Sequence, residues 1–206
     1  CLCLWLFWEA LSRGGWGWWL GAGAALGLAM LGKFLAFFIV PALGLFVLIS
    51  PTDRVWLRRP QPYAAGLLAL GVFSPFLWWN ATHGWATFVF NFVRRQGGRG
   101  LTTHYIGEFI GGQWLAVSPV LGVLAIWAMV AAAREWRRAR ERSSLYLLLV
   151  TAVPLAYFLY TSLFRRVGLH WPTWGWVGIL MFLAVRYSEG RLGERSGRAF
   201  RIGMAV

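Results

Sequence analysis

The sequence predicts an all-α, polytopic transmembrane helix bundle. Hydrophobic residues make up 59% of the 206 residues and charged residues only 13%, and several apolar runs are long enough to cross about 30 Å of bilayer hydrocarbon. None of these runs alternates apolar and polar residues, so the membrane segments are predicted to be helices. We expect about six to seven membrane segments in a single transmembrane domain of residues 1–206.

The apolar runs lie between clusters of Arg, Pro or Gly. They cover residues 1–8, 18–50, 63–79, 113–133, 145–163 and 172–186. The sequence opens inside the first run, at Cys1, and about eight residues are too few to span a membrane. We therefore expect the chain to be a fragment of a longer protein. We expect no signal peptide, because no basic segment precedes the run and no small-residue cleavage site follows it.

The run of residues 18–50 predicts a hairpin of two short helices. As one helix it would be about 50 Å long against about 30 Å of hydrocarbon, so a single span would need extreme tilt. Gly32 favours a helix end, and Pro41 weakens a helix that continues through it. We expect helices at residues 18–31 and 34–50. Lys33, the only lysine of the chain, then lies at the turn, near a membrane surface.

Basic residues predict the orientation, because short cytoplasmic loops are enriched in Lys and Arg. With the hairpin in place, fourteen arginines fall on one side of the membrane and six basic residues on the other. The first side is therefore predicted to be cytoplasmic, and all three histidines fall on the outer side. The formal charge of +13 is spread over short loops rather than along one soluble face, which argues against a nucleic-acid partner.

The outer loop of residues 80–112 is too long for a plain connection. Aromatic and branched residues recur in it at helical spacing before two arginines: Trp85, Phe88, Val89 and Phe92, then Arg94 and Arg95. The spacing predicts a short amphipathic helix over residues 84–95 in the outer membrane interface. The glycines that follow it predict a mobile segment beside the membrane.

Four stretches resemble one known enzyme family. They are GLAMLGKFLAFFIVPAL (residues 27–43), SPFLWWNATHGWATFVFNF (74–92), GEFIGGQWLAVSPVLG (107–122) and GLHWPTWGW (168–176). In series they are similar to the polytopic glycosyltransferases of family 39, which include bacterial relatives of protein O-mannosyltransferases and aminoarabinose transferases. The resemblance implies a GT-C type enzyme of the bacterial inner membrane. Such an enzyme passes a sugar from a polyprenyl-phosphate carrier to an extracytoplasmic acceptor.

The resemblance also implies where the catalytic acid lies. In that family a carboxylate in the first outer loop, near the N-terminus, acts as base or positions the acceptor. This sequence resembles the family only from several helices further on and lacks that loop. The catalytic residue is therefore unknown, and we expect it outside this chain.

Sugar transfer from a lipid phosphate needs cations that neutralise the departing phosphate, and the outer loops supply them. Lys33, Arg94 and Arg95 are the candidates for binding the lipid phosphate or the sugar. The alternative is that these side chains anchor the chain at the interface or pair with ordinary anionic lipids.

Three further outer residues are candidates for binding substrate. His83 and His170 could contact the acceptor, ligate a metal or simply lie in the interface. Glu108 is the single outer carboxylate and a candidate secondary base, although its position before an expected helix start at Phe109 also fits helix-dipole stabilisation. No cluster has the spacing of a metal site, so no metal ligand is predicted, while a divalent metal cofactor stays open.

Two other functions stay open. A transporter or flippase for an anionic lipid-linked substrate would need an ionisable pair or an inverted repeat at mid-membrane, and the sequence shows neither. An inactive membrane scaffold related to the same family is the second alternative.

Overall fold

The computed structural model describes residues 1–94, 101, 103–190, 200 and 203, except for the side chains of Phe92 and Arg94. Within these residues the chain is helical and contains no strand, which confirms the all-α prediction. The chain divides into two compact units, Cys1–Gly97 and Gly98–Val206, and each is described by itself. The expectation of a single transmembrane domain stays a prediction.

The described residues of the first unit form five α-helices, two 3-10 segments and one π-helical segment. The α-helices are α1 (Leu2–Arg13), α2 (Trp16–Gly32), α3 (Ile39–Ile49), α4 (Pro60–Thr82) and α5 (Ala86–Phe88). Two 3-10 segments, Phe34–Phe38 and Arg54–Arg58, precede α3 and α4. A π-helical segment, Val89–Arg94, continues α5.

The second unit contains four described α-helices. They are α6 (His104–Val117), α7 (Pro119–Ala139), α8 (Arg142–Ser162) and α9 (Trp176–Ser188), the last preceded by the 3-10 turn Thr173–Gly175. Alanines of α7 at positions 125, 128 and 132 are fully buried against Ile179, Phe182 and Leu183 of α9. Small residues on one helix and large ones on the other thus form the core of this unit.

Three of the described helices are long and apolar enough to cross a membrane: α4 with 23 residues, and α7 and α8 with 21 each. Helix α2 has 17 residues, and the apolar segment Phe34–Ile49 is also shorter than a full span. These lengths fit a helical membrane bundle in which two short helices replace one long span.

The predicted hairpin at residues 18–50 is confirmed. Helix α2 ends at Gly32, and Lys33 has extended backbone angles of φ −150° and ψ 106°. The chain then returns, because the ring of Trp56, beyond α3, packs 5.0 Å from the ring of Trp19 near the start of α2. Pro41 falls in the first turn of α3, where its missing N–H has no helical partner to lose.

Two predicted boundaries in the second unit are wrong. The run of residues 113–133 is not one segment, because Ser118 adopts φ +71° between α6 and α7. Pro119 disfavours helical angles in the residue before it, so a new helix begins there. Helix α6 begins at His104 rather than at Phe109, which places Glu108 in its second turn and removes the expected dipole role.

The predicted helix over residues 84–95 is confirmed in part. Trp85 adopts left-handed backbone angles and precedes the helix rather than belonging to it. The helical backbone covers Ala86–Phe88 and Val89–Arg94, and its second part is π-helical. Arg95 and the glycines at 97, 98 and 100 lie outside the described residues.

Candidate functional site

Lys33 lies exposed at the hairpin turn of the first unit. Its backbone N–H donates to the carbonyl of Ala29 at 2.9 Å, and its carbonyl accepts from the N–H of Ala36 at 2.8 Å. Within the described residues its side chain has no hydrogen bond and no carboxylate partner. The backbone of the turn is therefore fixed while the amine stays available to a ligand.

Aromatic packing holds this turn against the end of α4. The ring of Phe34 stacks on Phe76 with centroids 6.5 Å apart and planes 9° apart. The same ring meets the edge of Phe88 at 6.4 Å. The turn, α4 and α5 thus share one aromatic cluster, which fixes where Lys33 emerges.

Lys33 and His83 lie at the same end of the first unit. Helices α2 and α4 run parallel: a Cβ at Gly27 would lie 2.7 Å from the carbonyl oxygen of Ala69, and one at Gly23 would overlap Ala65. Both helices therefore end on the same side, with Lys33 after α2 and His83 after α4. The opposite end carries the chain segments with Arg13 and the arginines at 54, 58 and 59.

His83 is exposed, with an oriented ring. The ring stacks on Trp79 with centroids 4.4 Å apart, and its Nδ1 lies 2.8 Å from the carbonyl oxygen of Trp79. Because a carbonyl only accepts, Nδ1 carries the hydrogen, and in the neutral ring Nε2 keeps its lone pair. His83 thus presents an acceptor nitrogen at the end where Lys33 presents a cation.

Asn80, which sequence reasoning missed as a positioning residue, ties α4 to α5. Its side chain is fully buried. Its Nδ2 donates to the carbonyl of Phe76 at 3.0 Å, and its Oδ1 accepts from the N–H of Thr87 at 3.0 Å. Because this amide is buried and bonded at both ends, it shapes the chain around His83 and is closed to glycosylation in this fold.

Arg94 ends the π-helical segment that follows α5, and its side chain is not among those described. Arg95 lies outside the described residues. Both arginines stay sequence predictions as binding residues. Arg94 lies six residues beyond Phe88, whose ring contacts Phe34 at the hairpin turn.

Glu108 of the second unit belongs to a cluster of exposed charged groups. Its Oε2 lies 2.9 Å from Nε of Arg166, and its Oε1 lies 3.3 Å from Nε2 of His104. The Arg166 side chain is 80% exposed and that of Glu108 38%, so the pair contributes no more than about 1 kcal/mol. Glu108 and Arg166 thus form an ion pair, and a ligand that binds either side chain would have to break it.

His170 is exposed in the loop between α8 and α9, with its ring edge-on to Trp171 at 6.3 Å. The buried side chain of Gln113, on α6, holds this loop. Its Nε2 donates to the carbonyl of Leu169 at 3.1 Å, and its Oε1 accepts from Nε1 of Trp176 at 2.9 Å. Sequence reasoning missed this role of Gln113 because the surrounding residues are apolar and give no sign of a hydrogen-bonded site.

The described residues of each unit enclose an apolar cavity. In the first unit a cavity of about 360 Å³ lies between α1, α2, α3 and α4. In the second unit a cavity of about 490 Å³ is bounded by α6, α7, α8 and Trp176, with Gln113 in its wall. Each volume suits a hydrocarbon chain. Among the described residues no three His, Cys, Asp or Glu side chains are grouped as a metal site would require.

Comparison with known proteins gives two matches. Residues 1–79 match the family model described as dolichyl-phosphate-mannose-protein mannosyltransferase. A lipid A galacturonosyltransferase of Rhizobium johnstonii is 28% identical over 126 residues, which are 61% of this chain and 26% of that protein. The chain thus spans about a quarter of the length of this curated relative. No solved structure matches the chain significantly.

The matched residues 1–79 contain helices α1 to α3, the Lys33 turn and nearly all of α4. The resemblance predicted from the four sequence stretches is therefore confirmed, because both matches are to glycosyltransferases.

Proposed function

We propose that this chain is part of a membrane glycosyltransferase that transfers a sugar from a polyprenyl-phosphate carrier to an extracytoplasmic acceptor. The observation that carries the proposal is the exposed Lys33 at the hairpin turn, within the residues that match the family. A cation at a helix end reaches an interfacial phosphate without the cost of burying its charge at mid-membrane.

Lys33 stabilises the phosphate that leaves as the sugar is transferred, since negative charge develops on that group in the transition state. His83 lies at the same end of the first unit and offers Nε2 as acceptor for a sugar or acceptor hydroxyl. Arg94 and Arg95 add cations after α5. His170 and Glu108 of the second unit are the remaining candidates for contacting substrate.

The Lys33 end of the first unit faces outward in this proposal, and the arginine end faces the cytoplasm of a bacterial inner membrane. The arginines at 13, 54, 58 and 59 support this orientation through the positive-inside rule. The names of the two matches suggest candidate substrates to test: mannose or galacturonic acid as the sugar, and protein or lipid A as the acceptor.

The test measures transfer of radiolabelled sugar from polyprenyl-phosphate donors in membranes that carry the protein as its gene encodes it. We expect Lys33→Ala to lower turnover about tenfold or more, the equivalent of about 1.4 kcal/mol of transition-state stabilisation. Lys33→Arg keeps the positive charge and should restore part of the loss. Arg134→Ala, which removes an exposed arginine of α7, serves as control and should leave turnover unchanged.

Two results would contradict the proposal in different ways. Unchanged turnover in Lys33→Ala, at equal protein level, removes Lys33 from the site. Absence of transfer from every mannosyl and galacturonosyl donor tested, together with movement of the intact donor across the membrane, replaces the transferase with the flippase alternative.

A further inference from the structure

One side of helix α7 changes from apolar to basic toward the end of the helix. The exposed residues of this side are Val123, Trp127, Val130, Arg134, Arg137 and Arg138. Because positions three and four apart lie on the same face of a helix, the apolar residues and the arginines form one continuous strip. We call this strip the arginine face of α7.

The arginine face points away from the core of the second unit. Ala125, Ala128 and Ala132, on the opposite side of α7, are fully buried against α9. No residue of the face lines the described cavity of this unit. Since α7 is long and apolar enough to cross a membrane, the apolar part of the face meets acyl chains, and the arginines lie where lipid headgroups begin.

The three arginines of the face have no carboxylate partner within the described residues. The acidic groups beside them are engaged elsewhere. Glu135 pairs with Arg186 of α9 and accepts from the hydroxyl of Ser144 at 2.7 Å. Glu141 accepts from the hydroxyl of Ser143 at 2.7 Å. Since like charges three or four positions apart on a helix repel each other, an external anion would stabilise this end of α7.

We propose that the arginine face of α7 binds one anionic phospholipid of the surrounding bilayer. An acyl chain lies along Val123, Trp127 and Val130, and the headgroup phosphate accepts hydrogen bonds from the guanidinium groups of Arg137 and Arg138. Two observations select this occupant. The apolar strip that leads into the arginines requires a molecule with a hydrocarbon chain, and the unpaired arginines require a net negative headgroup.

The face favours an anionic phospholipid over a zwitterionic one, because the ammonium group of phosphatidylcholine would add a positive charge beside the arginines. It is open to the bilayer rather than enclosed, so it meets the anionic phospholipids that are present in bulk. The bound lipid takes no part in the proposed sugar transfer, and the proposal does not depend on that reaction.

The experiment locates lipid contacts by photo-crosslinking, without any sugar donor. The protein as its gene encodes it is reconstituted in phosphatidylcholine vesicles that contain a small share of phosphatidylglycerol with a diazirine in its acyl chain. After illumination, peptide mass spectrometry measures the label on residues 123–130. We expect this label to exceed that from a matched phosphatidylcholine probe about tenfold, the preference that two basic residues at a membrane surface would give.

Matched variants test the role of the arginines. Arg137→Gln with Arg138→Gln should lower the phosphatidylglycerol label on residues 123–130 about tenfold, to near the level of the phosphatidylcholine probe. Arg137→Lys with Arg138→Lys keeps the charge and should keep most of the label. Arg58→Gln with Arg59→Gln removes the same charge from exposed positions of the first unit and should leave the label on α7 unchanged.

Competition identifies the lipid. Unlabelled phosphatidylglycerol should displace the probe from α7, whereas an equal amount of polyprenyl phosphate should displace less of it. Equal labelling by the two phospholipid probes would show that the face is merely exposed to lipid, and stronger displacement by polyprenyl phosphate would assign the face to the carrier. Either result, or an unchanged label after Arg137→Gln with Arg138→Gln, would overturn the proposal.

Discussion

The two units each hold an exposed cation, but in different ways. In the first, Lys33 has no carboxylate partner within the described residues and is placed by its backbone and by the rings of Phe34 and Phe76. In the second, Arg166 is paired with Glu108, which also contacts His104. A cation placed by aromatic packing can meet a phosphate directly, whereas a paired one must first exchange its partner.

The units also differ in what fixes their helices. Helices α2 and α4 of the first unit touch along their backbones through Gly23 and Gly27. In the second unit the polar side chain of Gln113 joins α6, the loop at Leu169 and α9. The stability of the first unit should therefore fall when side-chain volume is added at these glycines, and that of the second unit when the hydrogen bonds of Gln113 are lost. The following variants test that difference.

The largest effect is expected for Gly23→Leu. A Cβ at this position would overlap the backbone of Ala65, and backbone cannot rotate away as a side chain does. We expect a loss of about 3 kcal/mol in the free energy of unfolding, the upper part of the range for overpacked sites. Thermal unfolding in detergent, followed by circular dichroism, measures it.

Gly17→Leu is the matched control, because it lies in the same helix and its Cβ meets no atom within 4 Å. Replacing a glycine within a helix should there stabilise by up to about 1 kcal/mol. Equal stability losses in the two variants would show that close approach of α2 and α4 does not fix the first unit.

Gln113→Leu should cost about 2 kcal/mol in the second unit, because it leaves partly buried Nε1 of Trp176 without its acceptor and the carbonyl of Leu169 without its donor. Equilibrium unfolding monitored by tryptophan fluorescence measures the loss. In combination with Trp176→Phe, which removes the orphaned donor, the losses should not add. Additive losses would mean that Gln113 does not hold α9 through this bond.

Asn80→Ala should cost about 1–2 kcal/mol in the first unit, since the N–H of Thr87 loses its buried acceptor. Thr82→Ala, two residues on and exposed, should change stability by less than about 0.5 kcal/mol. Hydrogen exchange at residues 86–88 provides a local readout. Unchanged exchange there in Asn80→Ala would contradict the role of Asn80 in joining α4 to α5.

The fold of the first unit follows from local sequence rules. A run too long for one span, with Gly32 before Lys33, predicts the reversal, and Gly23 with Gly27 predicts the close packing that the structure contains. The break at Ser118 was also legible, because a proline follows it. Apolar residues continue on both sides of Ser118, however, so hydropathy alone predicts one segment there.

The placement of candidate residues follows less from the sequence. His83 and Lys33 share an end because α2 and α4 are parallel, which the alternation of helices between the two membrane faces already predicts. The pairing of Glu108 with Arg166 joins residues far apart in the chain, and no local pattern marks it. Gln113 and Asn80 act through single hydrogen bonds to distant backbone groups, so periodicity and charge counts do not reveal them.

The smallest effect on stability, below about 1 kcal/mol, is expected for Glu108→Gln, because the ion pair with Arg166 is exposed to solvent.

The effect of Glu108→Gln on sugar transfer separates two roles of this carboxylate. If Glu108 only occupies Arg166, the variant frees a cation for the donor phosphate, and KM for the donor should fall by about twofold to threefold with kcat unchanged. If Glu108 acts as a secondary base, kcat should fall while KM stays constant, because the amide cannot take a proton. Arg166→Gln distinguishes the two roles further. Under the first role this variant should raise KM for the donor. Under the second role it should leave kcat unchanged, so that only Glu108→Gln lowers kcat. The paired arrangement of the second unit favours the first outcome, because the Glu108 carboxylate already lies 2.9 Å from Nε of Arg166.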